Sequence, residues 1–373
     1  MRECGDFDVR NYYSRLIRSA PCQRIFFSVF CAVLILFLSS CSTGIPVQEE
    51  FQKVDNDTIA VKFSIVFIIH GDNDYLYHDT SGNKFYADEE TLSEAKRIAG
   101  KNPNAEVFIF HQKPTSYFLF FFPLKDGESY YYRNGRLIAH ELYWRDRELS
   151  NLDTELEFYN SFCAKSQPKS ANMFLYFGHE IPEYGGYGYD ASYPDRTFTV
   201  LDLANGLKGQ TKDSTKFDLM VLSTCFGGTP YTIGTLGPYA RTIIASPDNL
   251  HLSYFDLSSL ESLELGLQDG DIPAFADRFA HQSFDRLTGV IQTAVSVAVY
   301  DVDSVQEYLH SVYPIYENTL NTLSEKKKSF PATNEHCDCA DIPEYTLPTM
   351  NRGVDVFYRP ALFGRSKNKQ NQF

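Results

Sequence analysis

The most constraining feature of this sequence is a set of unbroken apolar runs, each stopped by turn residues. Val61 to Ile69 (VKFSIVFII) ends in His70-Gly71-Asp72-Asn73-Asp74. Met173 to Phe177 (MFLYF) ends in Gly178-His179-Glu180. Phe217 to Leu222 (FDLMVL) ends in Ser223-Thr224-Cys225-Phe226-Gly227-Gly228. A strand apolar at consecutive positions must be covered on both faces. Segments of helical spacing separate these runs. Glu89 to Ala99 sets Leu92, Ala95, Ile98 and Ala99 on one face before Gly100; Asn151 to Ala164 and Thr199 to Leu207 follow the same logic,. Strands alternating with helices predict an α/β/α sandwich around a mostly parallel sheet.

The remaining elements extend that pattern. Glu106 to Phe110, Arg241 to Ala245 and Thr293 to Tyr300 read as strands, and Ile272 to Leu287 and Asp303 to Leu323 as helices. Tyr117 to Phe122, Tyr130 to Arg133 and Arg136 to Tyr143 read as an inserted β-meander, with Asn134-Gly135 as a two-residue hairpin signal,. Residues 326–373 read as a loop-rich extension. With 43% hydrophobic and 22% charged residues the chain is globular rather than disordered,. A net charge of −14 excludes nucleic-acid binding by charge alone,.

Residues 1–41 read as an export leader. Arg10, Arg15, Arg18 and Arg24 precede the apolar stretch Ile25 to Leu38, which is short for a membrane span,. Leu38-Ser39-Ser40-Cys41 resembles the bacterial lipoprotein box, which implies lipidation at Cys41. Ser42, rather than Asp, implies sorting to an outer membrane. Residues 42–58 then form a tether, and 59–325 the main domain. Cys163, Cys225, Cys337 and Cys339 are the cysteines beyond Cys41, too few for a disulfide framework in so long a chain,.

Side chains just past the carboxyl ends of parallel strands converge on a crevice. His179 and Cys225 hold such positions, one crossover apart. A thiol at a strand-to-helix turn lies near a helix dipole that favours thiolate, and a neighbouring imidazole can take its proton. Cys163 reads as core. His70 also ends an apolar strand and is a second candidate for the histidine. A hydrolase elbow, Gly-x-Cys-x-Gly, is half matched because Ser223 stands first; its histidine would be His251, His281 or His310,.

Several blocks between about 61 and 325 resemble, in order, the clostripain family of bacterial cysteine endopeptidases, within the clan of caspases, gingipains and legumains. They are the first strand with Gly71-Asp72-Asn73-Asp74, Phe174 to His179, Phe198 to Leu207, Asp218 to Cys225, Ala240 to Asp248, and Val295 to Leu309 with Asp301. The resemblance implies a caspase-like sandwich and a peptide or protein substrate. It assigns Cys225 as nucleophile and His179 as the group protonating the leaving amine. Oxyanion donors would come from the Cys225 amide and from one near His179, where Gly178 and Glu180 flank the ring. Two positions depart from the family pattern. Glu180 replaces a glycine, and Ser223 replaces an aspartate that binds a basic side chain before the scissile bond (P1). Asp248 and Asp256 are candidates for that carboxylate role. No cofactor is implied, although Asp72 and Asp74 are of the type that could hold the calcium some relatives use. The two departures also fit an inactive scaffold serving binding or adhesion.

Overall fold

The computed structural model describes residues 60–71, 76–78, 84–145, 151–163, 169–211, 216–250, 255–267, 271–325 and 352–362. The leader with Cys41, the tether, Asp72, Asp74, His251, Cys337 and Cys339 lie outside the described residues. The strands are β1 (Phe63–His70), β2 (Leu76–His78), β3 (Lys84–Tyr86), β4 (Ala105–Gln112), β5 (Tyr117–Phe118), β6 (Phe122–Pro123), β7 (Gly127–Arg133), β8 (Arg136–Tyr143), β9 (Ala171–Phe177), β10 (Phe217–Ser223), β11 (Ala240–Ala245), β12 (Val295–Asp301) and β13 (Val354–Arg359). The helices are α1 (Ala87–Lys101), α2 (Asp153–Phe162), α3 (Val200–Gln210), α4 (Pro230–Leu236), α5 (Leu263–Gly266), α6 (Ile272–Val290) and α7 (Val302–Glu325).

A nine-stranded sheet organises the chain, in the order β13-β12-β11-β10-β9-β1-β4-β7-β8. β11, β10, β9, β1 and β4 run parallel, while β12 and β13 at one edge and β7 and β8 at the other run antiparallel. All eight residues of β1 are buried. Alternation splits them between two cores. Phe63, Ile65, Phe67 and Ile69 meet Ala95 and Ile98 of α1 and Phe275 and Phe279 of α6. Val66 and Ile68 belong to the opposite core, with Phe158 of α2, Leu203 and Leu207 of α3, Ile233 of α4 and Val305 of α7. Both faces are therefore covered, as the apolar runs require. Local signals set the helix starts: Thr199 and Asp202 form a reciprocal capping box at α3, and Asp271 caps α6,.

Three expectations change. The meander is no insertion: β7 and β8 continue the main sheet antiparallel to β4. Tyr117 to Phe122 does not join that sheet but forms the small exposed hairpin β5–β6. The extension read as loop-rich contributes β13, which pairs with β12. Its lack of a buried apolar run hid it, because an edge strand buries little,.

Candidate active site

β9 and β10 lie side by side with Phe177 opposite Ser223. His179 and Cys225 each follow two residues beyond that rung, so both leave the sheet at the same level on adjacent strands, whose backbones run about 4.8 Å apart. The Thr224 hydroxyl donates to the His179 carbonyl at 2.6 Å, and the Gly178 N–H donates to the Ser223 carbonyl at 3.4 Å. These bonds tie the two strand exits together. Both His179 and Cys225 are half-buried. The Cys225 thiol donates to Asn249 Oδ1 at 3.0 Å. Asn249 follows β11, so the thiol of the β10 exit is met by a group from the next strand end.

The turn carrying Cys225 is built at close quarters. Phe226 has φ 52°, a left-handed conformation that costs a bulky residue about 1–2 kcal/mol,. Its N–H donates to the Asp248 carbonyl at 3.1 Å, and the Gly228 N–H donates to the Ser246 carbonyl at 2.8 Å. Tyr300 Oη donates to the Gly228 carbonyl at 2.9 Å. A Cβ on residue 228 would stand 2.4 Å from that hydroxyl and 2.9 Å from the Pro247 nitrogen, which is why glycine is needed. Gly178 is confined in the same way, since a Cβ there would stand 2.8 Å from His70 Cβ. The helix after Cys225 starts later than expected. α4 begins at Pro230 with Thr229 as its cap, and Phe226 to Thr229 separate it from the thiol. The dipole falls off within a turn, so it contributes less at Cys225 than the sequence implied.

The other candidates separate by position. Ser223 is fully buried and its hydroxyl accepts the Phe255 N–H at 3.2 Å; it holds the next segment rather than facing solvent. Asp256 accepts from the N–H and hydroxyl of Ser258 at 2.9 and 2.7 Å, within its own segment. Asp248 is exposed and accepts the Asn249 N–H at 2.7 Å through its carboxylate, beside the thiol's own partner. Glu180 is exposed at the rim of an open cleft of about 480 Å³, lined by Glu180, Ile181, Pro182, Glu183, Tyr184, Phe226 and Thr229. Those residues follow directly on His179 and on Cys225. Partial burial, and then Glu183, pushes the Glu180 carboxyl above its ordinary value. Glu183 accepts from the Thr229 hydroxyl across the cleft.

His70 lies inside. It is 1% exposed, its Nδ1 meets Gln112 Oε1 at 2.9 Å and its Nε2 the Tyr189 carbonyl at 3.1 Å, and its ring stacks on Tyr189 at 4.3 Å. It therefore secures the loop after His179. Asp190 in that loop is buried between Arg145 and Arg196, with His70 at 4.0 Å. Against the cost of burial, Arg145 and then His70 hold the Asp190 carboxyl below its ordinary value,. Asn249, Phe226 and the Asp190 cluster carry no local signature, because their partners are brought together from distant segments.

Cys163, expected in the core, packs against its margin: it ends α2, half-buried, with its thiol 3.6 Å from Glu106 Oε1. Burial, and then Glu106, pushes that thiol up. His281 and His310 sit on exposed helix faces, His281 against Phe357 of the edge strand β13 and His310 bonded to the Gln306 carbonyl. Among the described residues no group of three or more His, Cys, Asp or Glu is arranged to hold a metal ion.

No protein-family model and no curated protein matches the sequence. Solved structures do. An inactive zymogen of a C11 protease from Parabacteroides distasonis is 15% identical, with a TM-score of 0.47 over 69% of this chain and 67% of that one. A secreted C11 cysteine protease from Bacteroides thetaiotaomicron, in complex with an irreversible peptide inhibitor, is 13% identical, with a TM-score of 0.49 over 69% of this chain and 71% of that one. A further structure of a secreted C11 cysteine protease from that organism is 11% identical, with a TM-score of 0.47 over 70% of this chain and 71% of that one.

Proposed function

We propose that this chain is a cysteine endopeptidase of clostripain type, with Cys225 as nucleophile and His179 as its acid–base partner. The observation that supports it most is the register of β9 and β10, which brings His179 and Cys225 out of the sheet on neighbouring strands at one level. In this reading the thiol proton passes to the imidazole and the sulfur attacks the peptide carbonyl carbon. Negative charge gathers on the carbonyl oxygen, where the Cys225 amide and an amide of the His179–Glu180 turn are its donors. Collapse breaks the C–N bond, and the imidazolium gives its proton to the leaving amine. Water, deprotonated by the same ring, then hydrolyses the thioester and restores the thiol.

The cleft beside the dyad suggests what precedes the scissile bond. Two carboxylates, Glu180 and Glu183, and two aromatic rings, Tyr184 and Phe226, line it. That combination suits a long basic side chain, whose stem packs on the rings and whose head meets the acids. Glu180 thus takes the part that Ser223 cannot. The chain works outside the cytoplasm, lipid-anchored through Cys41; among the described residues no helix is long and apolar enough to cross a membrane.

The test is covalent trapping and turnover. A peptidyl chloromethyl ketone with terminal arginine should label Cys225, and Cys225→Ala should abolish cleavage of arginyl peptides. His179→Ala should lower kcat by 10²-fold or more, the ordinary share of a general acid–base. Ester turnover that survives His179→Ala would instead favour the hydrolase elbow, and an unlabelled Cys225 the inactive scaffold.

A further inference from the structure

The hairpin β5–β6 is built against its own folding preferences. Its turn, closed by the Phe121 N–H on the Phe118 carbonyl at 3.3 Å, puts Leu119 at φ 49° and Phe120 at φ 65°. Two consecutive left-handed residues are what Asn-Gly supplies at least cost. The chain uses that pair in the next hairpin, where Asn134 has φ 54° and Gly135 φ 77°. At 119–120 it places two large apolar residues instead, and then leaves them in water. Phe120 is 91% and Phe121 81% exposed, and no residue from Tyr117 to Phe122 is less than 58% exposed. Neither stability nor solubility favours this sequence, so a contact outside the described fold must.

We propose that this hairpin inserts into the interfacial region of a lipid bilayer. A protruding tip fits a leaflet, which accepts any convex apolar shape, better than it fits a protein surface, which would need a matching groove. Charge agrees: residues 114–124 carry no charged side chain, and the lysines on either side are turned to partners within the fold, Lys113 to Glu128 at 2.6 Å and Lys125 to the Leu142 carbonyl at 2.7 Å. Tyr117 and Trp144, at the base, are exposed by 59% and 43%, aromatic rings of the kind enriched at membrane boundaries,. In the reading proposed above, lipid on Cys41 already holds the chain at a bilayer. A second attachment makes such contact firm.

The hairpin follows β4, which runs parallel to β1 and thus to β9 and β10, so it rises from the same end of the sheet as His179 and Cys225. Three strand spacings, about 14 Å, separate the exits of β4 and β10. The Thr115 N–H donates to Ser192 Oγ at 3.0 Å, and Tyr193 donates to Asp126, so the stem is fastened to the loop that follows His179. Insertion therefore turns that rim toward the leaflet and favours substrates held at the membrane surface.

Trp144 is the single tryptophan of the chain and lines a hollow at the hairpin base with Tyr117, Pro123 and Leu124. The full chain should be reconstituted into phosphatidylcholine vesicles with and without bromine on the acyl chains near the headgroup. Insertion predicts at least a twofold loss of Trp144 fluorescence to the brominated lipid. Phe120→Asp combined with Phe121→Asp should remove that quenching while the lipidated chain still floats with vesicles through Cys41. Leu119→Asn combined with Phe120→Gly should raise the melting temperature and lower the quenching, which separates loss of insertion from loss of fold. Unquenched Trp144 in the unaltered chain, or equal quenching in both variants, would overturn the proposal. So would a dimer that the variants dissolve without any effect of bromine, which would make the occupant a second copy. Fluorescence does not depend on turnover, so this outcome stands apart from that of the peptidase reading.

Discussion

At the residue scale, Glu180 is the departure from the family pattern with the most chemistry in it. Its carboxyl is raised by partial burial and then by Glu183. A raised carboxyl takes up its proton at higher pH than an ordinary one, so the cleft loses negative charge sooner as pH falls. For an arginyl substrate, KM should therefore rise on acidification from neutrality, starting above the ordinary carboxylate range. Glu180→Gln should raise KM at neutral pH several-fold and flatten that limb, with peptides carrying a neutral P1 unaffected. A pH profile of KM unchanged by the substitution would place the basic side chain elsewhere. This residue was legible as a departure but not as a replacement. Only the cleft shows it beside Glu183, Tyr184 and Phe226.

At the element scale, the loop between β9 and α3 is held by a buried ion cluster rather than by secondary structure. Arg145 and Asp190 are 2% and 0% exposed in their side chains, and Arg196 joins Asp190 at 3.2 Å. Asp190→Ala would leave two guanidinium groups uncompensated, a change that costs about 3–5 kcal/mol in buried pairs. Urea denaturation at neutral pH should show that loss. Because the folded Asp190 carboxyl is lowered, its contribution is present above its unfolded value near ~3.9 and disappears as pH falls through that value and the folded one,. The variant should accordingly lose part of the acid-induced destabilisation seen in the native chain. A cost under about 1 kcal/mol would make the cluster incidental. None of this was visible in the sequence, where Arg145, Asp190 and Arg196 are isolated charges. By contrast β1, β9 and β10 were legible, because a strand buried on both faces leaves an unbroken apolar run. β13 was not, since an edge strand with no buried residue looks like loop.

At the scale of the whole molecule, sequence order and sheet order diverge beside the candidate site. The chain adds β4 beside β1, then returns across β1 to lay down β9, β10 and β11 on the other side. Strand order reverses at β1, and crevices open at such switch points. The strand ends of β1 and β9 meet there, with Gly178 against His70. Both chemically able residues were legible from their place after apolar runs. Their common level needed the register, and the shared rim with the β5–β6 hairpin needed the parallel direction of β4.

The central claim is that imidazole 179 activates thiol 225, and cysteine alkylation tests it most directly. Cys163 is the internal standard, a half-buried thiol pushed up by burial and then by Glu106. With iodoacetamide at neutral pH, Cys225 should alkylate at least tenfold faster than Cys163, and His179→Ala should erase most of that difference while leaving Cys163 unchanged. Equal, slow labelling of both thiols, or a fast Cys225 indifferent to His179, would contradict the account.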